Sequence, residues 1–331
     1  MAQKTLPVET ESQIGAIPEQ QVRDRLVVKN ILCPVDFSEF SLKAFNYAAC
    51  IARHFRSRLF LQHTVQLSAA YLGGWEPIAI QEMLRSEMRR AGTEMRRLAA
   101  VTRLDLPEVL MHVDERGTPQ DCILKSIEEH NIDLVVMGTH GRKGFNRLVL
   151  GSVAERLVHQ AVCPVLVICR PLRDFVSPDE LQPWHLKTIL LATDFSPNSG
   201  RALAHALRWA SEWSGKVILF HAVEEVPPET QGRVDLFPEY NPFFEKQIVE
   251  AWEAIRKQVP QATDQNCEIS FEVRHGNPKE QILHLAEEQN ADLIVMGSRG
   301  LGRSTVTWGS TISGVVRDGR FPVLAVRHLP A

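Results

Sequence analysis

No apolar run in this 331-residue chain reaches the roughly 20 residues that a membrane-spanning helix needs, which argues against a helical membrane protein. The residues before about Val22 are polar and hold neither a basic n-region nor an apolar h-region, so residues 1–26 read as a disordered tail and not as a signal. The six cysteines, Cys33, Cys50, Cys122, Cys163, Cys169 and Cys267, contain no C-x-x-C pair and mostly sit within apolar segments. That spacing suits structural thiols in a reduced cytoplasm better than a zinc or redox site. Charge of one sign is missing too: the net charge of −3 lacks the positive bias of an indiscriminate nucleic-acid binder. Arg85, Arg89, Arg90, Arg96, Arg97 and Arg103 are the local exception, but Glu82, Glu87 and Glu94 lie among them. Met83, Leu84, Met88, Met95 and Leu98 recur there at helical spacing, so the segment reads as a solvated helix face laced with ion pairs. A Walker A motif is absent, because Gly215-Lys216 is followed by Val217, and no G-x-S-x-G nucleophile elbow occurs. Neither His63 nor His221 has a second ligand at metal-binding spacing, and both read as hydrogen-bonded residues at the ends of strands.

What is present is an internal repeat. Lys29 to Ser38 matches Lys187 to Ser196 without a gap, and the register holds through His63 to Val65 and His221 to Val223. Gly117-Thr-Pro119 pairs with Gly276-Asn-Pro278, and Glu128 to Gly138 pairs with Glu287 to Gly297. Each half closes on a Pro-led strand, Pro164 to Ile168 and Pro322 to Val326. Ordered matches of this length indicate two tandem units, over 27–170 and 186–328, joined by a Pro-rich linker at 171–185. The insertion from Val226 to Phe244 reads as a surface loop, with a lid over the second site as the alternative.

In the first unit, strands are predicted at Asn30 to Val35, Arg58 to Thr64, Glu108 to Val113, Asp133 to Gly138 and Pro164 to Ile168. Helices are predicted at Phe40 to Phe55, Ile78 to Thr102, Pro119 to His130 and Val153 to His159. Such alternation implies a doubly wound five-stranded parallel sheet with its switch point between the first and fourth strands. The two Pro-led strands have apolar edges, so they can pair with each other and make the chain a pseudo-dimer; a homodimer of the whole chain is a further option.

The chemistry concentrates at one strand end. Met137 closes an apolar strand, and Gly138-Thr139-His140-Gly141 follows, then nine residues, then Gly151-Ser152-Val153. Ligands of open α/β sheets collect at this edge, where helix amino termini converge. Gly138 and Gly141 are expected to let backbone approach a ligand or adopt positive φ. Ser152 is expected to cap the next helix, with Glu155 completing a capping box, and the N–H groups of Gly151, Ser152 and Val153 to face an anion such as phosphate. A tight loop and a plain cap, with no ligand, would use the same residues. Asp36 and Asp194 lie just past the first strand of each unit, where a carboxylate can accept from a ribose hydroxyl or an adenine amino group; an ordinary turn aspartate is the alternative. Ser38 and Ser196 read as N-caps, with Pro197 at the first helical position. His140 has Arg299 as its counterpart, which argues against a catalytic histidine there and leaves phosphate contact open to either.

The run Val35-Asp36-Phe37-Ser38, the Gly138 to Gly141 loop, Gly151-Ser152-Val153-Ala154-Glu155 and Pro164 to Val167 together resemble the universal stress protein family. The resemblance covers about residues 27–170 and again about 186–328, as in a tandem-type member. It implies a Rossmann-like fold of the adenine nucleotide alpha-hydrolase type and, for the nucleotide-binding subgroup, bound ATP, with or without Mg2+. By matching position, Val35, Asp36 and Val65 would hold adenosine, and Met137, Gly138, Gly141, Gly151, Ser152 and Val153 would hold ribose and phosphates. The second unit keeps Thr193, Asp194, Gly297, Gly300, Gly309 and Ser310, but only eight residues separate Gly300 from Gly309, and Ser313 stands where Glu155 does. One missing residue moves a short loop by about 3.8 Å, so the first site is expected to bind more tightly. Related folds that transfer adenylyl groups carry S-G-G-x-D or H-x-G-H, and neither is here. The implied function is therefore a cytoplasmic, nucleotide-dependent stress-response regulator without dedicated catalytic turnover. A nucleotide-free stress scaffold and a slow ATP hydrolase are the alternatives.

Overall fold

The computed structural model describes residues 25–66, 77–101, 106, 108–115, 117–139, 151–169, 174–176, 186–224, 242–259, 267–300 and 310–327. Gly141, His140, Gly309, residues 1–24 and most of the 226–244 insertion lie outside that set, so the expectations placed on them have no structural counterpart here.

The first unit runs β1 (Asn30–Pro34), α1 (Glu39–Phe55), β2 (Arg58–Thr64), α2 (Pro77–Val101), β3 (Glu108–Asp114), α3 (Pro119–Glu129), β4 (Leu134–Gly138), α4 (Ser152–Gln160) and β5 (Val165–Ile168). The second repeats it as β6 (Thr188–Ala192), α5 (Pro197–Glu212), β7 (Lys216–Val223), α6 (Pro242–Gln258), β8 (Glu268–His275), α7 (Pro278–Glu288), β9 (Leu293–Gly297), α8 (Ser310–Asp318) and β10 (Val323–Val326). Each end in the first unit falls within a residue of the sequence expectation. β1, β4 and β5 are buried on both faces, which is why their Val, Ile and Leu run continuously instead of alternating.

Helix starts follow side-chain chemistry. Ser38 and Ser196 cap α1 and α5 by accepting from the N–H groups of Ser41 and Ser199. Thr118 and Asn277 cap α3 and α7, each followed by proline, and each preceded by a glycine at positive φ, 99° at Gly117 and 125° at Gly276. The exposed arginines of α2 face solvent while Met95 is fully buried, as the ion-paired face requires. No helix among the described residues is long and apolar enough to cross a membrane.

Parallel pairing gives the order β3-β2-β1-β4-β5 in one half and β10-β9-β6-β7-β8 in the other. The halves do not stay separate. β5 and β10 pair antiparallel, Val167 opposite Val323 and Leu166 opposite Leu324, so one ten-stranded sheet runs through the chain. One apolar layer packs α1, α2, α5 and α6 on one face, and a second packs α3, α4, α7 and α8 on the other; both cross the seam. Phe55 of one half packs edge to face against Trp209 and Trp213 of the other on the first face. Part of the expected linker joins this layer: Phe175 and Val176 are buried, and Asp174 receives the Tyr47 hydroxyl at 2.7 Å and pairs with Lys43 at 3.0 Å. The cysteines described are all free thiols, and burial pushes those of Cys50, Cys163 and Cys169 up to about 11, 12 and 12.

Candidate functional site

The switch point of each half lies where β1 and β4, or β6 and β9, leave the sheet side by side. At this edge the backbone is held by strand-end bonds: Val35 N–H to Gln62 O at 2.8 Å, Val65 N–H to Asp114 O at 2.9 Å, and Thr139 N–H to Ile168 O at 3.1 Å. His63 donates from Nδ1 to Val35 O at 2.7 Å, and His221 does the same to Thr193 O at 2.8 Å, so both are sheet-end residues as expected. Burial lowers the His221 pKa and keeps the ring neutral, against the pull of the Thr193 carbonyl. Among the described residues no group of three or more His, Cys, Asp or Glu is placed to hold a metal ion.

Immediately after β1 and β6 the chain makes the same sharp turn. Phe37 and Phe195 both take positive φ, 65° and 64°, a conformation that a bulky L-residue adopts only when its surroundings impose it. Their rings pack on His63 and His221, with centroids 4.9 and 4.4 Å apart. The aspartates between strand and turn are half-buried, not exposed. Asp36 Oδ1 accepts from Ser38 N–H at 3.0 Å and from Ser38 Oγ at 2.6 Å, and Asp194 Oδ1 accepts from Ser196 N–H at 3.1 Å. Each aspartate thus braces its own turn with one oxygen. Asp194 Oδ2 is directed at the Gly loop: a Cβ placed on Gly300 would come within 2.5 Å of it.

Three expectations need correcting. Ser152 is not the cap of α4; Gly151 is, in extended conformation and with no side-chain cap bond, and Ser152 is the first helical residue. The capping box with Glu155 is therefore not formed, because Gly151 N–H is drawn to Thr139 O at 2.9 Å and sets the start of the helix one residue earlier. That bond also removes Gly151 from the donors expected to face an anion. The first-turn N–H groups of Ser152 and Val153 have no acceptor among the described residues. Positive φ, finally, one of the two options expected at Gly138, is not taken there, and Gly297 matches it. A Cβ would meet the backbone of Phe40 at 2.8 Å or that of Asn198 at 2.9 Å, so these glycines let α1 and α5 start against the ends of β4 and β9.

The two halves differ at Val35 and Thr193. Both are buried, but the Thr193 hydroxyl is used inside the protein, contacting Ser199 Oγ at 3.1 Å and Gln258 Oε1 at 2.9 Å and accepting from Phe195 N–H at 3.1 Å. Gln258 comes from the end of α6 and is itself buried, a tertiary contact with no local sequence signal. Sequence pattern also missed Asp133 and Asp292. Each carboxylate accepts two consecutive N–H groups at the start of β1 or β6, Lys29 and Asn30 at 2.8 and 2.9 Å, Lys187 and Thr188 at 2.8 and 3.0 Å. Their repetition was visible, but their clamping role depends on the β1–β4 pairing. A surface depression of about 410 Å³ lined by Leu186, Lys187, Trp213, Ser214, Gly215, Lys216 and Glu268 lies at the opposite edge of the strands and is unrelated to this site.

A three-layer sheet with switch-point turns and loop-to-helix junctions of this kind defines an α/β protein of the adenine nucleotide alpha-hydrolase-like type. The model of the universal stress protein family matches residues 28–168 and again 185–327, and the chain belongs to that family, with two domains in tandem. A universal stress protein of Methanocaldococcus jannaschii is 33% identical over 150 residues, 44% of this chain and 85% of that one. One from Mycobacterium tuberculosis is 31% identical over 197 residues, 59% of this chain and 62% of that one. The crystal structure of a universal stress protein from Archaeoglobus fulgidus superposes with a TM-score of 0.60 at 25% identity, covering 90% of this chain and 96% of that one.

Proposed function

We propose that this universal stress protein binds adenine nucleotide, ATP above all, at its switch points and uses occupancy, not turnover, to bias its conformation or assembly. The observation that carries the reading is the meeting of Asp194 Oδ2 with Gly300: the carboxylate after the first strand and the Gly loop after the fourth share one spot. In the first domain the N–H groups of Ser152 and Val153, at the start of α4, would be the donors for phosphate, since the helix dipole favours negative charge there. In the first domain Asp36, Val35 and the backbone at Val65 would contact adenosine, and Met137 to Thr139 the ribose. Mg2+, where bound, would be held by the phosphates. Binding can shift a conformational equilibrium only by the difference in its affinity for the two states, so a more ordered Gly loop is the state nucleotide would favour.

The second domain would bind more weakly, since its loop is one residue shorter and its Thr193 hydroxyl is already engaged with Ser199 and Gln258. Mass spectrometry of nucleotide released from the purified protein, followed by calorimetric titration with ATP, tests this. Retained adenine nucleotide and two unequal sites are expected. Absence of both retained nucleotide and measurable binding would leave a nucleotide-free scaffold as the function.

A further inference from the structure

The seam between the domains carries a group of cations that the nucleotide reading leaves unused. Arg299 follows β9 by two residues, and Arg327 directly follows β10, the strand paired with β9 through Val326 and Gly297. Arg327 crosses the seam and donates from Nη1 to the carbonyl of Gln160, the last residue of α4 in the first domain, at 2.9 Å. Arg299 enters no hydrogen bond or ion pair with any described residue, and its Nε is buried without a partner, as is the hydroxyl oxygen of Ser298 beside it. No carboxylate among the described residues pairs with either arginine. The two arginines leave adjacent strand ends, joined by the bond from Ser298 N–H to Val326 O at 2.8 Å, and in line with that placement burial lowers the Arg327 pKa first and the Arg299 charge lowers it further, and both charges lower that of His159 on α4 after burial has done so. Like charges gathered with buried donors left over are suited to a compensating anion.

We infer that Arg299 and Arg327, with the end of α4 as one wall, form a binding site for a phosphate-type oxyanion at the junction of the two domains. Among the described residues there is one such site. At the pseudo-symmetric position of the first domain, Cys169 replaces Arg327, and its thiol donates to the Phe321 carbonyl at 3.1 Å. The planar guanidinium forks suit the paired oxygens of a phosphate. Because α4 begins at the first nucleotide site and ends at this seam, an anion here would touch both domains.

Calorimetric titration of the full chain with inorganic pyrophosphate tests the site. Binding at one equivalent per chain is expected, weakened about tenfold or more by Arg299→Gln, as loss of a charged hydrogen-bond donor implies, and weakened by added salt. Arg299→Gln breaks no contact of the fold, so its melting transition should not move, which keeps the test valid even if Arg327→Gln loosens the seam. Repeating the titration with saturating ATP separates the sources: displacement identifies the anion as the phosphate tail of a nucleotide on the second domain, and persistence as a free anion. No pyrophosphate binding, or binding indifferent to Arg299→Gln, overturns the inference. Pyrophosphate binding without any ATP binding would instead sink the nucleotide reading and leave this site standing.

Discussion

The carboxylate of Asp194 sits over Gly300, so close that even a methyl group on that residue would collide with Oδ2. Gly300→Ala should therefore displace the aspartate without disturbing the core, since Gly300 is exposed. The expected result is weaker nucleotide binding in the second domain, by about tenfold for a lost charged hydrogen bond, with an unchanged melting temperature. Titration of the variant checks it; unaltered binding at both sites would show that this carboxylate does not contact ligand.

Gly138 and Gly297 place the backbone of α1 and α5 where a Cβ would go. Gly138→Ala and Gly297→Ala should each destabilise by about 1–3 kcal/mol through overpacking, and by similar amounts because the contact is repeated. Urea unfolding measures this. A neutral effect would mean that the helix starts yield easily.

Leu166 and Leu324 are register partners across the seam, and both are fully buried. Each mutation to alanine should cost about 2–5 kcal/mol. As direct neighbours they should also couple, with the double variant departing from additivity by about 0.5–3 kcal/mol. Strict additivity in a double-mutant cycle would argue against the antiparallel joint in solution.

Acid should destabilise the protein through two half-buried histidines whose pKa is lowered. Burial, with like charge from Arg208 and Arg201, holds His205 down to about 3, and burial lowers His221 as well. In the unfolded chain both protonate near pH 6.5, roughly the free value. The unfolded state thus takes up protons first, so their contribution is complete above about pH 6.5 and declines as pH falls toward about 3. Urea midpoints at neutral pH and near pH 5 should differ, and His205→Gln should reduce the difference. An equal acid sensitivity in that variant would place the effect elsewhere.

Most of the fold was legible because it is written in local pattern. Continuous Val, Ile and Leu runs mark strands buried on both faces, and Thr118-Pro119, its counterpart Asn277-Pro278 and Ser196-Pro197 mark helix starts. The site was legible only in outline. Ser152 looked like a cap because serine before a helix usually is one, and a backbone bond from Gly151 to Thr139 across the loop decided otherwise. The tight packing of α1 against Gly138, the use of Thr193 by Gln258 and the clamp from Asp133 to Lys29 and Asn30 all join residues far apart in the chain.

By itself the sequence determined the tandem repeat, the alternation of strand and helix, and the edge of the sheet where the repeated residues of each half would gather, since periodicity and capping act over a few residues. Only the tertiary structure decided that the two sheets fuse through β5 and β10, that one oxygen of each switch-point aspartate is already committed to its turn, and that Arg299 and Arg327 leave adjacent strand ends at the seam. The physical reason is that these depend on which distant groups share a buried space, and burial sets both the energy of a hydrogen bond and the cost of leaving a charge without one.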